Sequence, residues 1–402
     1  MSRIVVIGAG QAGASLTGKL RSLGHEGEIV LLGEEPASPY QRPPLSKKYL
    51  LGDMSLDRMY LKPEAAYGAA DIDLRLNARV EAVDTAAKEV HVGGEALSYD
   101  QLAFTTGSVP RLLPAAVGGD LGGVFAVRTL ADVDAMAPAF AKGGHVLIIG
   151  GGYIGLEAAA VAAMKGLKAT LVEAGPRILG RVAAPETSDF FRDLHTGHGV
   201  DIREGVGLTR LTGDGHVSGA ELSDGTTLPI DFAIVGIGID PAAALATAAG
   251  LTIDNGIAVD ALGQTSVPGV WAAGDCASFP YRGARIRLES VPNAIDQAEV
   301  VAANMLGAGQ DYVAKPWFWS DQYDLKLQIA GLNTGYDRVV VRDSGAKGRS
   351  HWYYQGTELL AVDAMNDARG YMVGKRLIEA GKSPAAEAVA DPSADLKAFL
   401  KA

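Results

Sequence analysis

Two sets of three glycines carry the clearest chemistry in this chain. Gly8, Gly10 and Gly13 form one G-x-G-x-x-G, and Gly150, Gly152 and Gly155 form another. Each follows an apolar run, "RIVVI" or "HVLII", and opens a stretch rich in small residues. In that setting the first glycine permits a tight turn, the second lets the backbone approach a pyrophosphate, and the third lets helix and strand pack closely. The free N–H groups and positive end of the following helix then face the phosphates. An acid closes each unit: Glu34, 26 residues after Gly8, and Glu173, 23 residues after Gly150. A carboxylate at such a position holds ribose hydroxyls. At Glu173 it favours the 2′-hydroxyl of NAD and repels the 2′-phosphate of NADP, although the nearby Arg177 could take such a phosphate. Two dinucleotide sites imply hydride transfer from one cofactor to the other. A nicotinamide gives two electrons together and a flavin can release them singly, so one site is expected to hold FAD and the other NADH.

The glycines need βαβ units to position them, and the chain writes that unit twice, over residues 3–35 and 145–175. The unbroken apolar runs Ile4–Ile7 and Val146–Ile149 suit strands buried on both faces of a parallel sheet. Each unit is followed by short strands and hairpins, then by an apolar strand ending in "TTG" (residues 105–107) or "GIG" (residues 236–238). The repeat is therefore a whole domain rather than one motif. From about residue 323 the pattern changes to antiparallel strands, notably "SHWYYQG" and "TELLAVDAMN", and then a helix, "RGYMVGKRLIEAG". The fold class is α/β, with two Rossmann-like domains and a C-terminal α+β domain. The expected division is 1–110 with 242–322 for FAD, 111–241 for NADH, and 323–402 for the last domain.

A net charge of −11 argues against a nucleic-acid partner. Residues 323–402 hold 11 Lys and Arg against 10 Asp and Glu, so the whole of the net negative charge lies before them. Cys276 is the only cysteine, so the chain forms no internal disulfide and no thiol metal site. The seven histidines show no metal-ligand spacing, and His195 and His198 read as loop positions. No signal-peptide pattern opens the sequence and no apolar run is long enough to span a bilayer. A cytoplasmic protein with no membrane partner is the expectation.

"GAGQAG", "PYQRPPLSK", "TTGSVPR", "GGGYIGLE", "GIGIDP", "VWAAGDCA" and "ESVPNAIDQA", in that order, resemble the oxygenase-coupled NADH-dependent ferredoxin reductases. The resemblance is most specific over residues 3–300 and extends to "WFWSDQYDLKLQIAG". It implies a glutathione-reductase-like architecture and hydride transfer from NADH to FAD. Single electrons would then pass to a small iron–sulfur protein, a [2Fe–2S] ferredoxin supplying an oxygenase or else a rubredoxin. It further implies that FAD is held by Gly8, Gly10, Ala12, Gly13, Glu34, Arg42, Lys47, Val80, Thr106, Gly107, Arg128, Asp275 and Val291. NADH would be held by Gly150, Gly152, Tyr153, Ile154, Gly155, Glu157, Glu173, Gly236, Ile237, Gly238 and Glu289. Tyr153 would gate nicotinamide stacking, and Trp319 would lie beside the flavin.

Several of these residues have plainer readings. Asp275 alone reads as a turn former, Glu157 as a helix-surface acid, and Lys47 with Lys48 as a solvated helix end. The sharper reading has Lys47 pairing with Glu157 and holding positive charge where negative charge develops on the flavin. Trp317 and Phe318 read as core. Some members of the family carry a basic docking residue where this chain has Glu299, which leaves Lys326, Lys375 and Arg376 as basic candidates for the partner surface. Two other outcomes remain open on the residues alone. One is an NADH oxidase or peroxidase working through Cys276. The other is an NADH-sensing flavoprotein like apoptosis-inducing factor.

Overall fold

A computed structural model describes residues 2–345 and 348–401. The chain divides into two compact units, Met1–Arg42 with Ser55–Val109 and Ile239–Pro316, and Pro43–Met54 with Pro110–Gly238 and Trp317–Ala402.

The first unit is built on a parallel sheet in the order Val270–Ala272, Gln101–Phe104, Arg3–Ile7, Glu28–Leu32, Ile72–Arg75. Its central strand alternates between two cores. Ile4 and Val6 pack with Leu16, Leu20 and Val301 from the helices Gln11–Ser22 and Val291–Met305. Val5 and Ile7 pack on the other face with Val83 and Val90 of an antiparallel three-stranded sheet. Both faces are covered, which is why the sequence shows a continuous apolar run rather than alternation.

The second unit repeats the plan. Its parallel sheet runs Asp201–Glu204, Lys168–Glu173, His145–Ile149, Phe232–Val235, Val124–Phe125. The helix Tyr153–Met164 is buried from Gly155 to Ala162 and, apart from Glu157, is apolar on every face of that stretch. The unit also contains a five-stranded antiparallel sheet, ordered Trp317–Gln322, Leu325–Gly331, Glu358–Met365, Arg349–Gln355, Arg338–Asp343. The helix Ala368–Glu379 buries Tyr371, Val373 and Leu377 in the core of that sheet.

This last sheet starts one strand earlier than the sequence suggests. Gln322 pairs with Leu325, so Tyr323 and Asp324 alone make the hairpin turn. Tyr323 takes a φ of +55°, a conformation usually filled by Asn or Gly in such turns. With no glycine to mark it, the turn is hidden, and residues 317–322 pack with the second unit rather than with 242–316. Residues 43–54 likewise belong to the second unit. His195 is also not in a loop: it lies in the helix Pro185–Gly197 and is fully buried. The glycines at 197 and 199 made that helix end look like a turn, and only His198, beyond the last helical residue, fits the loop reading.

Candidate nucleotide-binding turns and a buried ion pair

The two glycine turns have nearly the same geometry. Gly8 has φ +109° and Gly150 has φ +108°. A Cβ on Gly8 would stand 2.4 Å from the Thr105 carbonyl oxygen, and one on Gly150 would stand 2.3 Å from that of Gly236. Thus "TTG" and "GIG" are equivalent parts, each a strand end on which the first glycine lies. The third glycines are equally constrained: a Cβ would come within 2.1 Å of the Gly8 oxygen at Gly13 and 2.0 Å of the Gly150 oxygen at Gly155. The middle glycines differ. Gly10 and Gly152 have nothing among the described residues within 4 Å of a Cβ position. Each is the N-cap of its helix, and neither helix has a side-chain cap. Each turn therefore combines uncapped helix N–H groups with open space in front of them, the features that fit a diphosphate.

Around the first turn, Gly274 packs against Ala12, with a Cβ there 3.0 Å from the Ala12 methyl, and the next residue, Asp275, accepts a hydrogen bond from Ser108 Oγ at 3.1 Å. Thr106 Oγ1 donates to the Ala242 carbonyl at 2.7 Å, and Gly107 has φ +70°. The unit thus gathers Gly8, Gly10, Ala12, Gly13, Thr106, Gly107 and Asp275 at one end of its sheet. Val291 is the first residue of the helix capped by Ser290. Val80 opens a strand, and Glu289 pairs with Arg287 at 2.5 Å. Glu34 is largely exposed and pairs with exposed Arg79. Sequence reasoning missed its neighbour. Glu35 accepts from Tyr40 Oη and from Arg42 Nη2, both at 2.6 Å, and no motif marked it.

Around the second turn, Glu173 accepts from the Gly151 N–H with one oxygen and from the Gly175 N–H with the other, both at 2.7 Å. The acid is thereby fixed to the glycine loop, and each oxygen keeps lone-pair capacity for a hydroxyl. Arg177 is turned to Ser188 Oγ and the Gly180 carbonyl. Ile154 is exposed, Gly238 has φ +109°, and Ile237 packs at the edge of this unit's core. Tyr153 stacks obliquely on Phe318, with ring centres 5.1 Å apart, and its buried hydroxyl has no hydrogen-bond partner among the described residues. The Arg128 N–H donates to Asp132 of the capping box that starts the helix Leu130–Lys142.

Lys47 and Glu157 form an ion pair at 2.8 Å, with Lys47 mostly and Glu157 almost wholly buried. Lys47 sits at a kink, with φ −131° and ψ −109°, in the short segment Leu45–Tyr49 entered from Pro44. Burial holds the Glu157 carboxyl above its ordinary value, and Lys47 with the hydroxyls of Ser320 and Ser46 offsets only part of that rise. Ser320 Oγ donates at 2.6 Å and Ser46 Oγ at 3.0 Å. Ser320 follows Trp319, whose half-buried ring lies 5.5 Å from that of Trp317. Trp317 and Phe318 are also only half-buried, not full core. Cys276 is fully buried, with its thiol pushed up by desolvation. Among the described residues, no group of His, Cys, Asp and Glu could hold a metal ion. No described helix is long and apolar enough to cross a membrane.

Residues 2–298 match the family described as pyridine nucleotide-disulphide oxidoreductase, and 317–400 match a reductase C-terminal domain. A ferredoxin–NAD(P)+ reductase of Sphingomonas sp. is 44% identical, over 99% of this chain and 97% of its own. Putidaredoxin reductase of Pseudomonas putida is 40% identical over 99% and 97%. The crystal structure of the covalent putidaredoxin reductase–putidaredoxin complex superposes with a TM-score of 0.95 at 39% identity, covering 100% of this chain and 98% of that one.

Proposed function

We infer the function from one premise: this chain belongs to the pyridine nucleotide-disulphide oxidoreductase family and carries its reductase C-terminal domain. It is a flavoprotein NAD(P)H-dependent ferredoxin reductase, the activity named for its full-length relative from Sphingomonas. The observation that carries the reading is the pair of uncapped glycine turns, one in each unit, in a chain with a single cysteine. A second thiol would allow electrons to leave as a pair into a disulfide; without it they must go to another molecule.

In this reading FAD is held by the Gly8–Gly13 turn, Glu34, Arg42, Val80, Thr106, Gly107, Asp275 and Val291, with Lys47 and Arg128. NADH is held by the Gly150–Gly155 turn, Glu157, Glu173, Gly236–Gly238 and Glu289. A flavin held there would supply an acceptor for the nicotinamide's hydride and a one-electron donor to the partner. The protein supplies placement and charge. The Gly10 and Gly152 helix ends neutralise diphosphates. Lys47, oriented by Glu157, offers positive charge to the flavin as it is reduced. The fixed position of Glu173, and the commitment of Arg177 elsewhere, support NADH over NADPH. The partner is a small iron–sulfur protein, a [2Fe–2S] ferredoxin rather than a rubredoxin, serving an oxygenase. Lys326, Lys375 and Arg376 remain the basic candidates on the C-terminal domain; at the Glu299 position, Lys19 pairs with the acid at 3.0 Å.

Release of the bound flavin and its chromatographic identification, followed by anaerobic reduction with each nicotinamide, tests this assignment. FAD and a rate with NADH at least about tenfold above NADPH are expected. FMN, or equal rates, would overturn it.

A further inference from the structure

Ser320 has one proton, and the groups behind it decide where that proton goes. Gln322 Nε2 stands 3.1 Å from Ser320 Oγ, and Gln322 Oε1 stands 2.7 Å from His195 Nε2. His195 Nδ1 stands 3.1 Å from Tyr323 Oη. On the other side Ser320 Oγ lies 2.6 Å from Glu157, which Lys47 also holds. Ser320, Gln322 and His195 are buried, so none can satisfy itself with bulk water. The donors can be ordered in one consistent way. If Ser320 donates to Glu157, it must accept from the Gln322 amide. The Gln322 carbonyl then faces His195 and needs a proton on Nε2. The neutral ring therefore leaves Nδ1 to accept from Tyr323. Reversing the amide would turn the serine proton away from Glu157.

We propose that His195, Gln322 and Tyr323 are positioning residues for the Lys47–Glu157 pair: they form a one-way file of hydrogen bonds that fixes Ser320 as a donor to Glu157. The proposal rests on the functional reading above only for its effect on the flavin; the order of donors belongs to the protein alone. Burial supports the neutral ring, since it pushes His195 down to about 4. The histidine sits on a helix and the rest of the file on a hairpin, so two separate elements must agree for the serine to be aimed.

The test uses the holoprotein labelled with ¹⁵N-histidine. Long-range ¹H–¹⁵N correlation at pH 7, assigned with a His195→Gln variant, should show His195 neutral with its proton on Nε2. A proton on Nδ1, or a charged ring, would overturn the proposal without touching the functional reading. In a second arm, His195→Phe and Ser320→Ala should each slow single-turnover flavin reduction by NADH about three- to tenfold, the usual scale for one ordinary hydrogen bond. His195→Gln, which keeps a donor, should restore most of that loss. The double variant should be no worse than the worse single, because both remove the same interaction. Losses that multiply, or a His195→Phe variant that is less stable but reduces at the normal rate, would overturn it. Should Lys47→Ala leave both the rate and the flavin potential unchanged, the functional reading of the pair fails instead, while the proton position on His195 still decides the order of donors.

Discussion

Lys47 and Glu157 show how burial changes what an ion pair can do. An exposed lysine–glutamate pair contributes little, because water screens it and two long side chains must be ordered. Here the carboxylate is almost fully buried and is held by a lysine and two serines. Removing the lysine leaves an acid that burial alone would drive towards its neutral form. If Lys47 faces the flavin as proposed, Lys47→Ala should lower the rate of hydride transfer by about tenfold or more and move the flavin potential down, since positive charge beside the developing anion is lost. Spectroelectrochemical titration with stopped-flow reduction checks both, and unchanged values in both would refute the role. Gly13→Ala makes a different prediction. Its Cβ would meet the Gly8 carbonyl at 2.1 Å, so the turn itself must move. We expect a protein that purifies with little flavin and melts several degrees lower, measured by the ratio of visible to ultraviolet absorbance and by thermal unfolding.

At the scale of elements, legibility followed locality. The two G-x-G-x-x-G turns lie within single βαβ units, and their spacing alone exposed them. The Ser320 contact with Glu157 joins residues far apart in sequence, and an isolated serine carries no spacing signal. The Lys47–Glu157 pairing came from family resemblance and not from any pattern in the residues. The 317–322 strand was joined to the wrong segment because Tyr323 occupies a turn position where glycine would have announced it. A second long-range cluster was missed for the same reason. Asp363 is fully buried and accepts from Thr187 Oγ1 at 2.8 Å and from Tyr353 Oη, with His351 beyond Thr187. Burial raises its carboxyl to about 6. A carboxyl raised in the folded state keeps its stabilising proton below its unfolded value near 4. It loses that stability as pH rises through 6. The stability of the wild-type chain relative to Asp363→Asn should therefore fall by an amount on the order of 3 kcal/mol between pH 4 and pH 6.5. Denaturant melts of both proteins across that range check the sign, and a flat difference would contradict it.

For the whole molecule, the decisive fact is the absence of a second thiol. The family is named for a disulfide reaction, yet this chain has Cys276 alone, buried and with its thiolate disfavoured. A buried, protonated thiol is a poor nucleophile. Cys276→Ser should leave NADH-driven electron transfer within about twofold of the parent, whereas an oxidase or peroxidase using that sulfur would lose its turnover. The charge balance points the same way. Residues 323–402 are close to neutral in a chain of net charge −11, so they repel an acidic protein least. The most direct measurement mixes anaerobic holoprotein with one equivalent of NADH and excess [2Fe–2S] ferredoxin, and follows iron–sulfur bleaching. Reduction of two ferredoxins per NADH is the predicted result. NADH oxidised only when oxygen is admitted, with the ferredoxin left oxidised, would contradict it.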